Sequence, residues 1–274
     1  MEAADRSAAE EFAESLPDHP FSFGAGCVIR RGVGKVWIRG AASHPTAAVV
    51  VASSLPAEPM AFGSDPEEIW TLLAEIPNWE CVNLSREVAP ALAGVLKREL
   101  GSPTRLYDDV YFVLDRPAAP QHHPSVRRLT EDDLAMVERA PVPLQPVGFD
   151  SVLAALSGGV VAGGVVDEEL VSTISMTVSS RDYADVGGHT LEAWRNRGLA
   201  SAAAYLVAQE VAARGMTPVW STGEENVRSQ RVAEKLGFRE FGRQAYVVVP
   251  DLQISRGFRP KDPAGARVRS GGAH

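Results

Sequence analysis

Residues Arg195 to Ala200 form the pattern Arg-x-x-Gly-x-Ala. They lie where a β-type run, Tyr183 to Leu191, gives way to an alanine-rich helical run from about Ala200 to Arg214. A turn of this kind can aim several backbone N–H groups into one concavity. The helix that follows adds its unpaired N-terminal donors and the positive end of its dipole. The matching chemistry is the holding of a phosphate or diphosphate. Gly198 suits close approach of the ligand, because a Cβ there would hold it off the backbone. Ala200 is small, as the first turn under a bulky diphosphate requires. Arg, Gly and Ala are abundant in this chain, so six residues alone also fit an ordinary strand-to-helix turn, and the surrounding elements have to discriminate.

Other residues with chemical potential are fewer. Cys27 and Cys81 sit in apolar, strand-like runs without a zinc or nucleophile pattern, which predicts buried structural thiols and suits a reducing cytosol. His122 and His123 are adjacent but have no further ligand cluster, so a solvated linker is expected there and no metal. The pairs Gly158-Gly159 and Gly163-Gly164 do not match a dinucleotide fingerprint and no helix follows them; turn and bulge roles are expected. The chain has 274 residues, 45% hydrophobic and 23% charged, with a formal charge of −8. This is the composition of a globular protein of one large or two ordinary domains, with no broad basic field for nucleic acid. No basic leader with an apolar core and no run of transmembrane length is present in the sequence, so a cytoplasmic protein without membrane contact is expected.

The elements that would position the turn can be read in order. Ser7 to Leu16 has Ala8, Phe12 and Leu16 at helical spacing, and Pro17 and Pro20 end it. Phe21 to Ile29 and Lys35 to Ile38 read as short β-type runs about the turn Arg31 to Gly34, and Ala47 to Ser53 as a buried strand. Ser64-Asp65-Pro66-Glu67-Glu68 is a helix start, with a capping residue, proline in the first turn and acids that suit the dipole. Cys81 to Leu84 is a strand, Arg86 to Leu100 a helix and Arg105 to Leu114 a strand with aromatics. An α/β unit is thereby complete, giving an N-terminal domain over 1–118 and a proline-rich linker over 119–125. A second unit over 126–250 opens with a strand at Val126, then a helix capped by Thr130 with Asp133 as its acidic partner. The proline-rich stretch Pro141 to Gly148 makes a loop where a substrate could enter. Three strands follow: Gly159 to Val166, Glu169 to Val178 and Tyr183 to Leu191. After the Arg-x-x-Gly-x-Ala turn and its helix come a strand at Val219 to Thr222, a helix from Val227 to Leu236 closed by Gly237, and β character from Phe238 to Val249. Residues 256–274 are rich in Gly, Pro and Arg and read as a flexible tail.

The order β-α-β-β-β-turn-α-β-α-β from Val126 to Val249 resembles the GNAT (Gcn5-related N-acetyltransferase) fold. Three local matches carry it: the opening Val126 to Leu134; Arg195 to Ala200, similar to the family's acyl-CoA diphosphate motif; and Asn226-Val227-Arg228-Ser229 with Ala233 to Phe238, similar to its last helix and Gly-Phe ending. Gly188 to Glu192, Pro218 to Ser221 and Glu225-Asn226 further resemble a two-part bacterial group that includes zwittermicin-resistance-type acetyltransferases. The resemblance implies an α/β (α+β) architecture, with a mixed central sheet in the C-terminal half. The N-terminal α/β region is compatible with a degenerate copy of the same fold.

The resemblance also implies acetyl-CoA as co-substrate and direct attack by a primary amine of a small molecule, without a covalent enzyme intermediate. Backbone groups of Gly188, His189 and Thr190 would hold the pantetheine arm and polarise the thioester. Arg195, Asn196, Arg197, Gly198, Leu199, Ala200 and Ser201 would cradle the diphosphate, with Asn226 and Ser229 assisting; Asn226 also suits a helix N-cap. Many relatives carry a tyrosine acid seven residues after this asparagine, where Ala233 stands here. Tyr246, Ser229 or water are the alternatives as proton donor. His189, Glu192, Glu224 and Glu225 are the candidate bases, and strand alternation lets only one of His189 and Glu192 face the cleft readily. Trp194 and Trp220 are expected as core or wall residues. A non-catalytic acyl-CoA-binding module and a protein N-terminal or lysine acetyltransferase are the competing readings, and a homodimer is compatible with all of them. The residues do not name the acceptor.

Overall fold

The computed structural model describes residues 2–250; the tail expected over 256–274 lies outside the described residues. Two helices, α1 (Arg6–Ser15) and α2 (Phe23–Arg30), lead into β1 (Gly34–Ala41), β2 (His44–Ala52), β3 (Met60–Gly63), α3 (Pro66–Leu73), β4 (Cys81–Ser85), α4 (Ala89–Leu100) and β5 (Arg105–Val113). After β6 (Val126–Arg128) the same succession returns. It runs α5 (Leu134–Arg139), α6 (Val152–Gly158), β7 (Val161–Val166), β8 (Glu169–Ser179), β9 (Tyr183–Thr190), α7 (Leu199–Ala213), β10 (Thr217–Gly223), α8 (Val227–Leu236) and β11 (Arg239–Val248).

The repeat extends to the sheet. All eleven strands join in the order β1-β2-β3-β4-β11-β5-β10-β9-β8-β7-β6. Its centre is the antiparallel pair β11/β5, flanked by the antiparallel pairs β4/β11 and β5/β10. Outward on each side comes one parallel pair, β3/β4 and β9/β10, and then antiparallel strands to the edge. The last strand of each half is thus inserted into the sheet of the other: β5 pairs with β10, and β11 with β4. Neither half closes its own sheet.

Side chains alternate across the sheet, and one face is apolar throughout. Val82, Leu84, Ala245 and Val247 pack under α3 and α4; Val110, Phe112, Ile174 and Trp220 pack under α7 and α8. The alanines 202, 203, 204 and 208 of α7 are buried, and their small size lets that helix lie close on the strands. On the opposite face α1 and α2 cover Val36, Ala48 and Val50.

Local signals explain most helix ends. Asp65 caps α3 by accepting from Glu67 N–H at 2.9 Å. Gly101 and Gly237 take φ of 67° and 95° at the ends of α4 and α8. The Thr130/Asp133 capping box forms, and Arg127 clamps Asp133 through two bonds of 2.7 and 2.6 Å. Asp167 and Glu168 take φ of 49° and 65° in the turn between β7 and β8, and a bulge follows Gly164.

One local expectation is corrected, and two elements are added. The β-type reading of Phe21 to Ile29 fails, because residues 23–30 are helical and Cys27 is a buried helical thiol. This segment is buried on nearly every side, so its hydrophobic run carries no period that separates helix from strand. The four-residue β3 and the seven-residue α6 are further elements that the sequence reading passed over.

Candidate functional site

The site is built where β9 hands over to α7. A single-turn 3-10 helix, Glu192–Trp194, follows β9, and Arg195 returns to extended backbone. Asn196 and Gly198 then take left-handed φ of 62° and 85°. Gly198 is the N-cap of α7 and carries no side chain that could turn back on the helix. The first helical bond runs from Ala202 N–H to Gly198 C=O at 3.0 Å. The N–H groups of Leu199, Ala200 and Ser201 ahead of it have no helical partner, as at any helix start. Leu199 anchors the turn: it is buried, and its side chain lies against Gly164, where an added Cβ would stand 3.0 Å away.

The two arginines are held differently. Arg195 Nε donates to Thr190 C=O at 3.2 Å, tying the turn to the end of β9. The Arg197 guanidinium stacks 4.6 Å over the Trp194 ring, on the exposed side of the turn. Both arginines belong to the turn that leads into the N–H groups at the start of α7.

Upstream the sheet opens. β9 and β10 are paired only from Tyr183 to Asp185 against Thr217 to Val219; beyond that both continue unpaired on this side. The resulting slot is flanked by residues 186–190 and 220–223. Gly188 lies in it with its backbone exposed, and only glycine fits there, since a Cβ would sit 1.9 Å from Thr173 C=O. His189 is directly opposite Thr173 and half-buried. Burial, and then the charge of Arg195, push its imidazole below the ordinary value, so the neutral form, able to accept a proton, predominates at pH 7. Thr190 is committed to a hydroxyl bond with Ser172 at 2.7 Å.

The remaining candidates divide. Glu192 is exposed on the 3-10 helix, and its carbonyl accepts from Arg195 N–H at 3.3 Å; the strand has ended before it, so alternation no longer governs its direction. Asn226 is the N-cap of α8 and accepts from Ser229 N–H at 3.2 Å. The Ser229 hydroxyl accepts from the Trp220 indole at 3.0 Å, which fixes that ring in the core. Tyr246 lies on β11, separated from β9 by β10 and β5, a gap of about 14 Å in strand spacings. The structure therefore brings Gly188, His189, Thr190 and 195–201 together and leaves Tyr246 elsewhere.

Two groups enter that sequence reading missed. His123 of the linker comes against the turn, 4.0 Å from the Cβ position of Gly198, while Nδ1 accepts from Ser125 N–H at 3.1 Å. On the other side of the slot, β5 brings Asp109 and Tyr111 beside β10, opposite Gly223 and Ser221. The polar alternation Tyr107, Asp109, Tyr111 was the available signal.

The counterpart of this turn in the N-terminal half, Gly63 to Glu68, is chemically different. Asp65 already occupies the anion position, accepting from Glu67 and Glu68 N–H, and Pro66 has no N–H to offer. Glu67 and Glu68 add negative charge. A diphosphate would be repelled there.

Residues 156–248 match the family model "GNAT acetyltransferase". Among solved structures, a GCN5-related N-acetyltransferase-like protein of Streptococcus suis superposes with a TM-score of 0.66 at 17% identity, covering 88% of this chain and 98% of that one. A Drosophila protein gives 0.62 at 15% identity, with 90% and 97% covered. A tandem GNAT protein from the clavulanic acid biosynthesis pathway gives 0.54 at 13%, with 90% and 96% covered. No curated protein matches the sequence.

Proposed function

We propose, from the GNAT acetyltransferase domain that this chain carries in its C-terminal half, that the protein transfers the acetyl group of acetyl-CoA to a primary amine of a small molecule. The observation that carries this reading is the turn 195–201. It combines left-handed Asn196 and Gly198, unpartnered N–H groups on the first turn of α7, two arginines and no competing carboxylate. The equivalent turn of the other half has no arginine, its first N–H groups are taken by Asp65 and Pro66 offers none, which points to one acyl-CoA site per chain.

In this reading the diphosphate rests on the α7 N-terminus, and the pantetheine arm enters the slot between β9 and β10. Backbone groups at Gly188 to Thr190 supply hydrogen bonds to it and to the thioester oxygen as negative charge develops there. His189, neutral and at the slot, accepts the proton that the amine must lose before or during attack. The amine nitrogen forms its bond to the carbonyl carbon, and the C–S bond breaks to release CoA thiolate. Ala233 is fully buried at the position where many relatives have a tyrosine acid, so protonation of the thiolate falls to solvent.

Gly198→Asp tests the cradle. A side chain there faces a φ of 85°, and its carboxylate would take the anion position as Asp65 does in α3. Calorimetry with acetyl-CoA is expected to show binding by the wild type and a loss of at least about 100-fold in the variant. Equal affinities would remove the diphosphate assignment. Release of free CoA with a broad panel of amines tests transfer itself. Tight binding with no turnover on any amine would instead support a non-catalytic acyl-CoA sensor, the reading that Ala233 favours.

A further inference from the structure

The face of the sheet opposite α3, α4, α7 and α8 changes character at its centre. Here the two exchanged strands meet, and the positions that point to this face are polar. Gln244 of β11 is directly opposite Asp109 of β5, and Tyr246 of β11 directly opposite both Tyr107 of β5 and Asn83 of β4. Directly opposed residues have Cβ atoms about 5 Å apart, so these side chains form one contiguous patch. Tyr111 hydrogen-bonds the Asp109 carboxylate.

Two groups in this patch are unsatisfied. Asn83 is 6% exposed and Gln244 9%, yet Asn83 Nδ2 and Gln244 Oε1 have no hydrogen-bond partner. A buried donor and a buried acceptor left unmet on adjacent strands are costly. The cost is explicable if a ligand meets them. Asp109 is 5% exposed, and Glu58 lies close enough to act electrostatically on Tyr246. Two carboxylates therefore border the patch.

One row of the patch, Asp109 and Gln244, is level with the slot, and Tyr246 and Asn83 lie two residues further along the strands. Continuing the β9/β10 register four residues past Val219 and Asp185 brings Gly223 level with His189. Thr173 and His189 then stand on one side of the opening, with Gly223, Asp109 and Gln244 on the other.

We propose that Asn83, Gln244, Tyr246 and Asp109 form a subsite for the non-reacting end of the acceptor, and that the acceptor is a cationic amine bearing hydroxyl groups. The inference rests on the transferase reading for the word acceptor. A cation answers the carboxylates. A hydroxyl oxygen accepts from Asn83 Nδ2, and a hydroxyl or ammonium donates to Gln244 Oε1. An apolar amine would leave both amides unmet, and a simple alkyl polyamine would leave Asn83 without an acceptor. The subsite takes strands from both halves, so the N-terminal half, which cannot hold a diphosphate, has a part in choosing the acceptor.

The test uses the full chain and a pair of probes that differ by one hydroxyl, 1,3-diamino-2-propanol and 1,3-diaminopropane, titrated by calorimetry without acetyl-CoA. The wild type is expected to prefer the hydroxylated probe by about fivefold to tenfold. Asn83→Leu and Gln244→Met, made separately, are expected to erase that preference while the Tm holds or rises, since each removes a buried unmet polar atom. A purely structural amide would give the reverse, a lowered Tm with the preference unchanged. Equal affinities in the wild type, no heat with either probe, or a preference that survives both substitutions overturns the subsite. A separate titration with acetyl-CoA keeps the two readings apart. Amine discrimination without acetyl-CoA binding leaves the subsite standing and overturns the transferase reading. Acetyl-CoA binding without amine discrimination does the opposite.

Discussion

His189 shows how the fold changes what a residue can do. A solvent-exposed histidine is half-protonated near pH 6.5. Burial and Arg195 lower this one, so the neutral form persists to lower pH. The sign for catalysis follows. If His189 takes the amine proton, kcat/KM falls as pH falls, with an acid limb centred below 6.5, and His189→Gln removes that limb. Pre-steady-state or kcat/KM profiles with one amine over the acid range check this; an unchanged limb in the variant assigns it to another group. Trp220 teaches a different lesson at the same scale. Its indole donates to Ser229 and its ring is buried, so both are committed to holding β10 against α8, and neither is placed to meet an acceptor.

At the scale of the element, two helix starts of similar position have opposite chemistry. α3 begins with a side chain that satisfies its own N-terminal donors; α7 begins with a glycine that leaves them open. The first stabilises its own helix, and the second leaves its donors available for the diphosphate proposed above. The 3-10 turn ahead of α5 is another stability device. Asp133 is buried, accepts from Thr130 N–H at 2.9 Å and is clamped by Arg127, which holds its carboxyl below the usual carboxylate range. Asp133→Ala is expected to cost on the order of 1–3 kcal/mol in urea unfolding at neutral pH. For a carboxyl with a lowered folded value, the wild-type advantage is present above about 3.9 and disappears as pH falls below it. A pH-independent difference between the two proteins would show that lost packing, rather than the charge pair, carries the effect.

At the scale of the whole molecule, the exchange of β5 and β11 makes the halves interdependent. Without β5, β10 and β11 would expose unpaired edges in the middle of what is now a continuous sheet. Residues 119–250 expressed alone are therefore expected to aggregate or oligomerise, and co-expression with residues 1–118 to restore a compact heterodimer. Gel filtration with light scattering reads this directly, and a well-behaved monomer from 119–250 would contradict it. The exchange also gives the N-terminal half a structural part in the C-terminal one: its β5 completes the sheet from which the slot opens. Among the described residues no helix is long and apolar enough to cross a membrane.

What was legible in the sequence was what local chemistry encodes. Helix α8 could be placed from Val227 to Leu236 because Asn226 and Gly237 mark its ends. The capping box at Thr130 could be read because its two partners are three residues apart. The Arg-x-x-Gly-x-Ala turn could be read as a diphosphate cradle because its donors belong to consecutive residues and need no distant partner. The missing pieces are those that long-range contacts decide. The segment 23–30 is a helix whose nearly complete burial leaves a short apolar run that fits either period. Tyr246 is continuous in sequence with the Gly-Phe ending of the last helix, yet strand exchange puts β5 between it and the slot. Asp109 and Tyr111 come beside β10, one wall of the slot, for the same reason, from the other half of the chain. By itself the sequence determined the turn proposed to hold the donor, where hydrogen-bonding groups are set by local backbone conformation. Only the tertiary structure decided the polar patch proposed to meet the acceptor, because it is assembled from strands that meet solely through the pairing of the two halves.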